Sequence, residues 1–263
     1  MKNAKILVQI YEIQEPDEAE KLVELGVDHI GSVILAEELW KVPAIKDTVK
    51  VAAEGGARSS LIPLFSSADP ISRVIDHYRP DMIHFCEVLS ARAADARRMA
   101  EICRVQETIR RRFPEIAIMR SIPVGLPGEN GGGVLQEVPE ILRETSDFFL
   151  PDTLLPPEWP GREDQPVAGY VGITGIPCDW ESVARLTAIS PVPVILAGGI
   201  ADDNVYEGIL ATRPAGVDSC TRTNLADGSG GHIRFRKDLD KVARLVAEVR
   251  RAEAALAAGP DKS

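Results

Sequence analysis

Aromatic residues make up only 5% of the 263-residue chain. Its core must therefore rest on Val, Ile, Leu and Ala, the side chains that suit parallel strands covered on both faces by helices. No apolar run approaches the length of a membrane span. The opening "MKNAKILVQIYEIQEPDE" lacks the apolar segment and small-residue cleavage site of a secretory leader, so a cytoplasmic protein with no membrane partner is expected. Basic residues are in deficit, 30 Lys and Arg against 40 Asp and Glu, and the resulting net charge of −10 argues against nucleic acid as a partner. The four cysteines, Cys86, Cys103, Cys178 and Cys220, lie far apart with no CxxC spacing, which excludes a zinc motif or a disulfide framework and leaves reduced, mostly buried thiols. No lysine at a strand end is placed for a Schiff base, and no His or carboxylate cluster has metal-ligand spacing. No cofactor and no metal are expected, although Glu12, His84, Glu87 and Asp152 converge in principle.

With 44% apolar and 27% charged residues, the chain can bury a large core. Short apolar runs alternate with segments of helical period. "KILVQI" precedes "EPDEAEKLVELG", where Ala19, Leu22, Val23 and Leu25 share one face and Gly26 is the stop. The same alternation recurs to give eight units, the last being "AGVDSC" followed by "LDKVARLVAEVRRAEAALAA". Parallel strands joined by helices need right-handed crossovers, and eight of them in this length predict a single α/β domain closed into a (β/α)₈ TIM barrel over residues 1–256. Residues 257–263, "AAGPDKS", are expected to be a disordered tail. The competing open sheet would carry GxGxxG after its first strand, where "YEIQEP" stands instead.

Barrel chemistry sits at the C-terminal ends of the strands. There, "VILAGGIADDNV" ends a strand in Gly198 and Gly199 and opens a helix, so backbone N–H groups can approach an anion unobstructed. "GVDSCTRTN" adds Ser219, Cys220, Thr221 and Arg222, at the place where barrels frequently bind phosphate. The alternative is a tight turn that uses its glycines for geometry only. "YVGITGIPCDW" offers a loop carrying Thr174 and Gly175 ahead of Asp179, a helix cap.

Along nearly the whole chain these segments resemble the phosphoribosylanthranilate isomerase family of tryptophan biosynthesis. "KILVQIYEIQEPDEA" is similar to that family's first strand and helix start, and "GVDHIGSVI" to its second strand. "GITGIPCDW" resembles Gly-Gly-Thr-Gly-x-x-Phe-Asp-Trp, "LAGGIADDNV" resembles Leu-Ala-Gly-Gly-Leu-x-x-x-Asn-Val, and "GVDSCTRTN" with "RKDLDKV" is similar to the eighth strand and its continuation. The resemblance implies a barrel enzyme that performs an Amadori rearrangement: an acid opens the ring of a phosphorylated aminoaldose and a base moves a proton to give the aminoketose. It implies Asp152, in "FFLPDT", as the acid, Thr174 near the ligand, and no cofactor. The family's base is a cysteine where this chain has Tyr11, with Gln9 in place of its lysine and Glu12 in place of its glycine.

Tyr11 is a poor base unless tuned, and Glu12 is adjacent, so as a strand residue it points to the opposite face. "HFCE" brings His84, Cys86 and Glu87 near the mouth, with His84 either a relocated base or a packed core histidine. The arginine that meets the anthranilate carboxylate in the family is Trp40 here, with Lys41 beside it. Arg120, in "RSIPVG", is expected inside the barrel against an anion, and "GLPGENGGGV" is read as a flexible lid. The expected protein is an acid/base isomerase of a phosphorylated sugar or its aromatic amine adduct, monomeric or homodimeric. The alternatives are a phosphosugar barrel with another isomerase, epimerase or aldol-type activity, and a non-catalytic phosphometabolite sensor.

Overall fold

The structure, a computed structural model, describes residues 5–90, 93–128, 134–156, 159 and 169–258. Its first half runs β1 (Leu7–Ile10), α1 (Pro16–Glu24), β2 (His29–Ile34), α2 (Pro43–Glu54), β3 (Arg58–Pro63), α3 (Ala68–Tyr78), β4 (Met82–Phe85) and α4 (Ala96–Arg112). The second runs β5 (Ala117–Val124), α5 (Val134–Leu142), β6 (Phe148–Thr153), α6 (Trp180–Ile189), β7 (Ile195–Leu196), α7 (Val205–Thr212) and β8 (Gly216–Ser219). A short hairpin of β9 (Asn224–Ala226) and β10 (His232–Lys237) precedes α8 (Leu239–Ala258).

Eight parallel strands follow the order β6-β5-β4-β3-β2-β1-β8-β7. The ring is closed by backbone bonds from Phe149 N to Pro193 O at 2.9 Å and from Ala197 N to Pro151 O at 3.2 Å. This is the expected TIM barrel. Local chemistry sets the helices: α1 begins with Pro16 and the acidic pair Asp17 and Glu18 in its first turn, which suits the free N–H groups there. Asp179 caps α6, accepting from Ser182 N at 3.2 Å.

Most of the apolar core lies between strands and helices. Val8, Ile10, Ile30, Ile122, Phe149 and Val217 meet the buried faces of α1, α6, α7 and α8. The lumen has its own small apolar layer of Met82, Met119, Leu150, Ile195 and Ala197. Near this layer the lumen turns polar, because Gln9 donates to Asp218 at 3.0 Å and meets His29 Nδ1 at 3.1 Å. Buried polar groups are tolerated only when paired in this way.

The β9–β10 hairpin was not expected. Its loop carries Asp227 and Gly228, and Asp227 accepts from Ser229 N and Gly231 N at 2.8 and 2.9 Å. Helix α8 runs to Ala258, so the expected tail from residue 257 begins with two helical residues, and 259–263 lie outside the described residues. Half of the expected lid "GLPGENGGGV", residues 129–133, also falls outside them.

Candidate active site

Two adjoining hollows open at the C-terminal ends of the strands, where barrel chemistry is sited. The larger spans about 630 Å³ including its open mouth and is walled by Val33, Ile62, Leu64, Leu150, Val171 and Ile173, with Tyr11, His84, Ser121 and Tyr170 among its polar groups. The smaller, about 280 Å³, is built from Thr174, Gly175, Gly198, Gly199, Thr221 and Arg222. Asp152, Ile173, Asp218 and Cys220 line both.

The smaller hollow is made by backbone geometry. Gly198 and Gly199 take φ of +77° and +57°, a region that side chains resist. A Cβ on Gly199 would fall 2.5 Å from the Ile176–Pro177 backbone, so glycine alone lets the 172–178 loop seat on the turn after β7. Thr221 Oγ1 is buried there without a hydrogen-bond partner among the described residues. An orphaned hydroxyl beside two glycine turns suits an anion bound by backbone and hydroxyl donors. Arg222 lines the same hollow while bonded to Asp203 at 2.7 Å.

The larger hollow holds a relay of neutral groups. Tyr11 Oη lies 2.6 Å from Ser60 Oγ and 2.8 Å from His84 Nδ1, and His84 Nε2 lies 2.8 Å from Ser121 Oγ. Tyr11 rests flat on Gly31, where any Cβ would meet its ring at 2.1 Å. Burial drives the Tyr11 phenol well above its ordinary range and lowers His84 to about 3, the nearby Arg120 adding to the effect. Both are therefore uncharged at neutral pH, hydrogen-bonded to each other, and neither is a competent proton acceptor. Burial likewise raises the thiols of Cys86 and Cys220.

Asp152 is the expected acid, and the structure brings it to the junction of the hollows. Burial raises its carboxyl to about 6, against hydrogen bonds from the backbone N–H groups of Thr153 and Gly198 that favour the charged form. The 172–178 loop covers it closely, for a Cβ on Gly172 would lie 2.2 Å from Asp152 Oδ2. Thr174 and Gly175 line the smaller hollow.

Three expectations are corrected. Arg120 lies outside the lumen: its neighbour Ser121 faces the hollow, so strand alternation turns Arg120 toward α4. There it donates to Glu87 at 2.7 Å and Gln106 at 2.9 Å and stacks on Phe85, a buried ion pair between barrel and helix. Ser219 also faces away, donating to Ile200 O at 2.6 Å. Glu12 does reach the larger hollow despite following Tyr11, because the chain leaves the strand there with φ +66°. Its carboxylate is already committed to Arg234 at 2.8 Å and Asn224 at 3.4 Å.

Trp40 and Lys41 line neither hollow: Trp40 packs edge-on to His77, with Lys41 Nζ 5.0 Å from its ring. Asp218 was missed. Its signal was parity, since a lumen-facing Tyr11 implies a lumen-facing Gln9, and β1 pairs Gln9 with Asp218. Among the described residues there is no group of three or more His, Cys, Asp or Glu placed to hold a metal ion, and no helix long and apolar enough to cross a membrane.

No protein-family model matches the chain. It is 24% identical to N-(5′-phosphoribosyl)anthranilate isomerase 1 of Methanosarcina mazei, over 97% of this chain and 99% of that protein. Against the N-(5′-phosphoribosyl)anthranilate isomerase of Xanthomonas campestris pv. campestris identity is 28%, over 88% and 86%. Among solved structures, the N-(5′-phosphoribosyl)anthranilate isomerase of Pyrococcus furiosus superposes with a TM-score of 0.64 at 19% identity, covering 94% of this chain and 99% of that one. A thiamine phosphate pyrophosphorylase from the same organism superposes with a TM-score of 0.58 at 16% identity, covering 95% and 98%. Superposition at such identities carries the barrel alone, because one barrel hosts many chemistries.

Proposed function

We propose, from the chain's standing as a divergent relative of the N-(5′-phosphoribosyl)anthranilate isomerases, that it is an intramolecular isomerase converting a phosphorylated aminoaldose to the aminoketose by Amadori-type acid/base chemistry. The observation that carries this reading is the place of Asp152: a half-buried carboxyl, raised to about 6, where an apolar hollow meets a glycine-built one. Phosphate occupies the smaller hollow, held by the Gly199 N–H and by the hydroxyls of Thr174 and Thr221. The aromatic amine lies in the larger hollow against Ile62, Leu64 and Tyr170.

This places the sugar carbons over Asp152. A carboxyl held partly protonated near neutral pH by burial can deliver a proton to the ring oxygen, and the 172–178 loop screens the step from water. Tyr11, His84 and Ser121, bonded to one another, form a fixed polar wall on the amine side of the ligand. We read the enzyme as cytoplasmic, monomeric or homodimeric, and working without cofactor or metal. The test is loss of anthranilate-type fluorescence from freshly prepared phosphoribosylanthranilate. Native protein should turn it over and Asp152→Asn should lose about a thousandfold or more in kcat. No turnover by native protein, while ribose 5-phosphate still raises its Tm, would replace this reaction with another one on a phosphosugar.

A further inference from the structure

Amadori chemistry needs two proton-transfer groups, and the position that holds a thiol in the resembling family holds Tyr11 here. We propose that Asp218 is the second: Asp152 and Asp218 act as a carboxyl pair that holds one proton between them across the mouth. This rests on the proposed isomerase reading and supplies the group that reading lacks.

The geometry is specific. Of the four residues that line both hollows, two are these carboxylic acids, contributed by β6 and β8. Asp218 is held from below, where Gln9 Nε2 donates to its Oδ1 at 3.0 Å and His29 Nδ1 lies 3.1 Å from Gln9 Oε1, which fixes the amide. Oδ2 takes no hydrogen bond among the described residues, and the side chain lines the hollow. The other candidates around it are spent. Tyr11 and His84 bond to each other, Glu12 is tied to Arg234, and Lys237 Nζ is turned to Cys220 O at 2.9 Å and to Asn224. Burial raises Asp218 to about 7. The Gln9 hydrogen bond lowers it, the Asp152 charge raises it further, and Lys237 lowers it. The Asp152 charge bears on Asp218, two carboxyls lining one hollow titrate together, and in the state with one proton both an acid and a base are present.

The chemistry then balances without any co-reactant. The protonated member gives its proton to the ring oxygen as the C1′–O bond breaks, and the amine nitrogen lone pair forms the C1′=N iminium. The ionised member takes the C2′ proton, and the C–H electron pair becomes the C1′=C2′ bond as the iminium electrons return to nitrogen. The enol hydroxyl at C2′ then loses its proton and C1′ gains one, leaving the ketone and an unchanged pair.

The experiment is the pH dependence of phosphoribosylanthranilate turnover by native protein, Asp218→Asn and Asp218→Glu, with Tm measured with and without ribose 5-phosphate to show that each variant is folded. Native protein should give a bell-shaped kcat profile with both limbs between about pH 5 and 8. Asp218→Asn should lose about a thousandfold in kcat with KM within a few fold and should lose one limb, and Asp218→Glu should recover part of the rate. A folded Asp218→Asn within tenfold of native protein, or one that keeps both limbs, overturns the pair. An inactive native protein overturns the isomerase reading, and the pair with it. The first failure shows in the variant and the second in the parent.

Discussion

The two sides of the mouth are built by different means. On the β7–β8 side the hollow is made of backbone: glycine turns at positive φ, a loop seated on them, and one threonine hydroxyl with no partner among the described residues. On the β1–β5 side it is made of side chains, in which Ser60, Tyr11, His84 and Ser121 form a buried hydrogen-bonded series. The backbone-built side carries the "GITGIPCDW" and "LAGGIADDNV" patterns that resemble the phosphoribosylanthranilate isomerases, whereas the side-chain-built side has Tyr11 and Trp40 where that family has a thiol and an arginine. An anion site built from backbone depends on chain path and tolerates changes of side chain. Proton transfer is a property of a few atoms and can move to new ones within the same path.

The comparison breaks most readily at Gly199. Gly199→Val should drive a side chain into the Ile176–Pro177 backbone at a residue with φ +57°, unseating the loop. We expect KM for a phosphorylated substrate to rise at least about tenfold, with about 1–3 kcal/mol lost in stability by denaturant titration. A variant with native KM would mean that the glycine turn serves folding only.

Tyr11→Phe should act more mildly. It removes the bonds to Ser60 and His84 and leaves two buried polar groups short of a partner, so about 1–3 kcal/mol of stability should go while kcat falls less than about tenfold. A thousandfold fall in kcat would restore the family's base position to Tyr11 and sharpen the contrast in the opposite sense.

The smallest effect is on stability against pH. A carboxyl raised on folding stabilises the protein fully below its unfolded value and loses that contribution as pH rises through its folded value. For Asp218 the window therefore runs from about 4 to about 7. Asp218→Asn removes the burial of that charge, so its Tm should gain on the native protein between pH 5 and pH 8, by roughly 2–4 °C for each kcal/mol of relief. A difference in Tm that stays flat across this range would mean that the site stays hydrated.

The barrel was legible because period and length in each of its strand and helix segments agree, from "KILVQI" to the long α8. The hairpin after β8 was not read, because strands of three and six residues around "DGSGG" are too short to show a period. The turn signal itself was present in Asp227 and Gly228. Within the site, Gly198, Gly199 and Thr221 were read from position at strand ends, and the role of Asp152 from the family resemblance. Arg120 and Asp218 failed together, since each depends on which face of its strand looks into the lumen, and one strand alone gives no anchor for that parity. Ser121 and Gln9 supply it once the strands are paired.

The bond between Glu12 and Arg234 joins residues 222 positions apart. The exit of the first strand is thus pinned by a hairpin that is synthesised after all eight barrel strands. A chain emerging from synthesis completes most of its strands while Glu12 waits, buried in prospect and unpaired in fact. Such long-range closure raises contact order and slows the final step of folding. Arg234→Ala should therefore be felt first as chains that collapse normally and close late, seen as a slower last phase in refolding with the early phases unchanged.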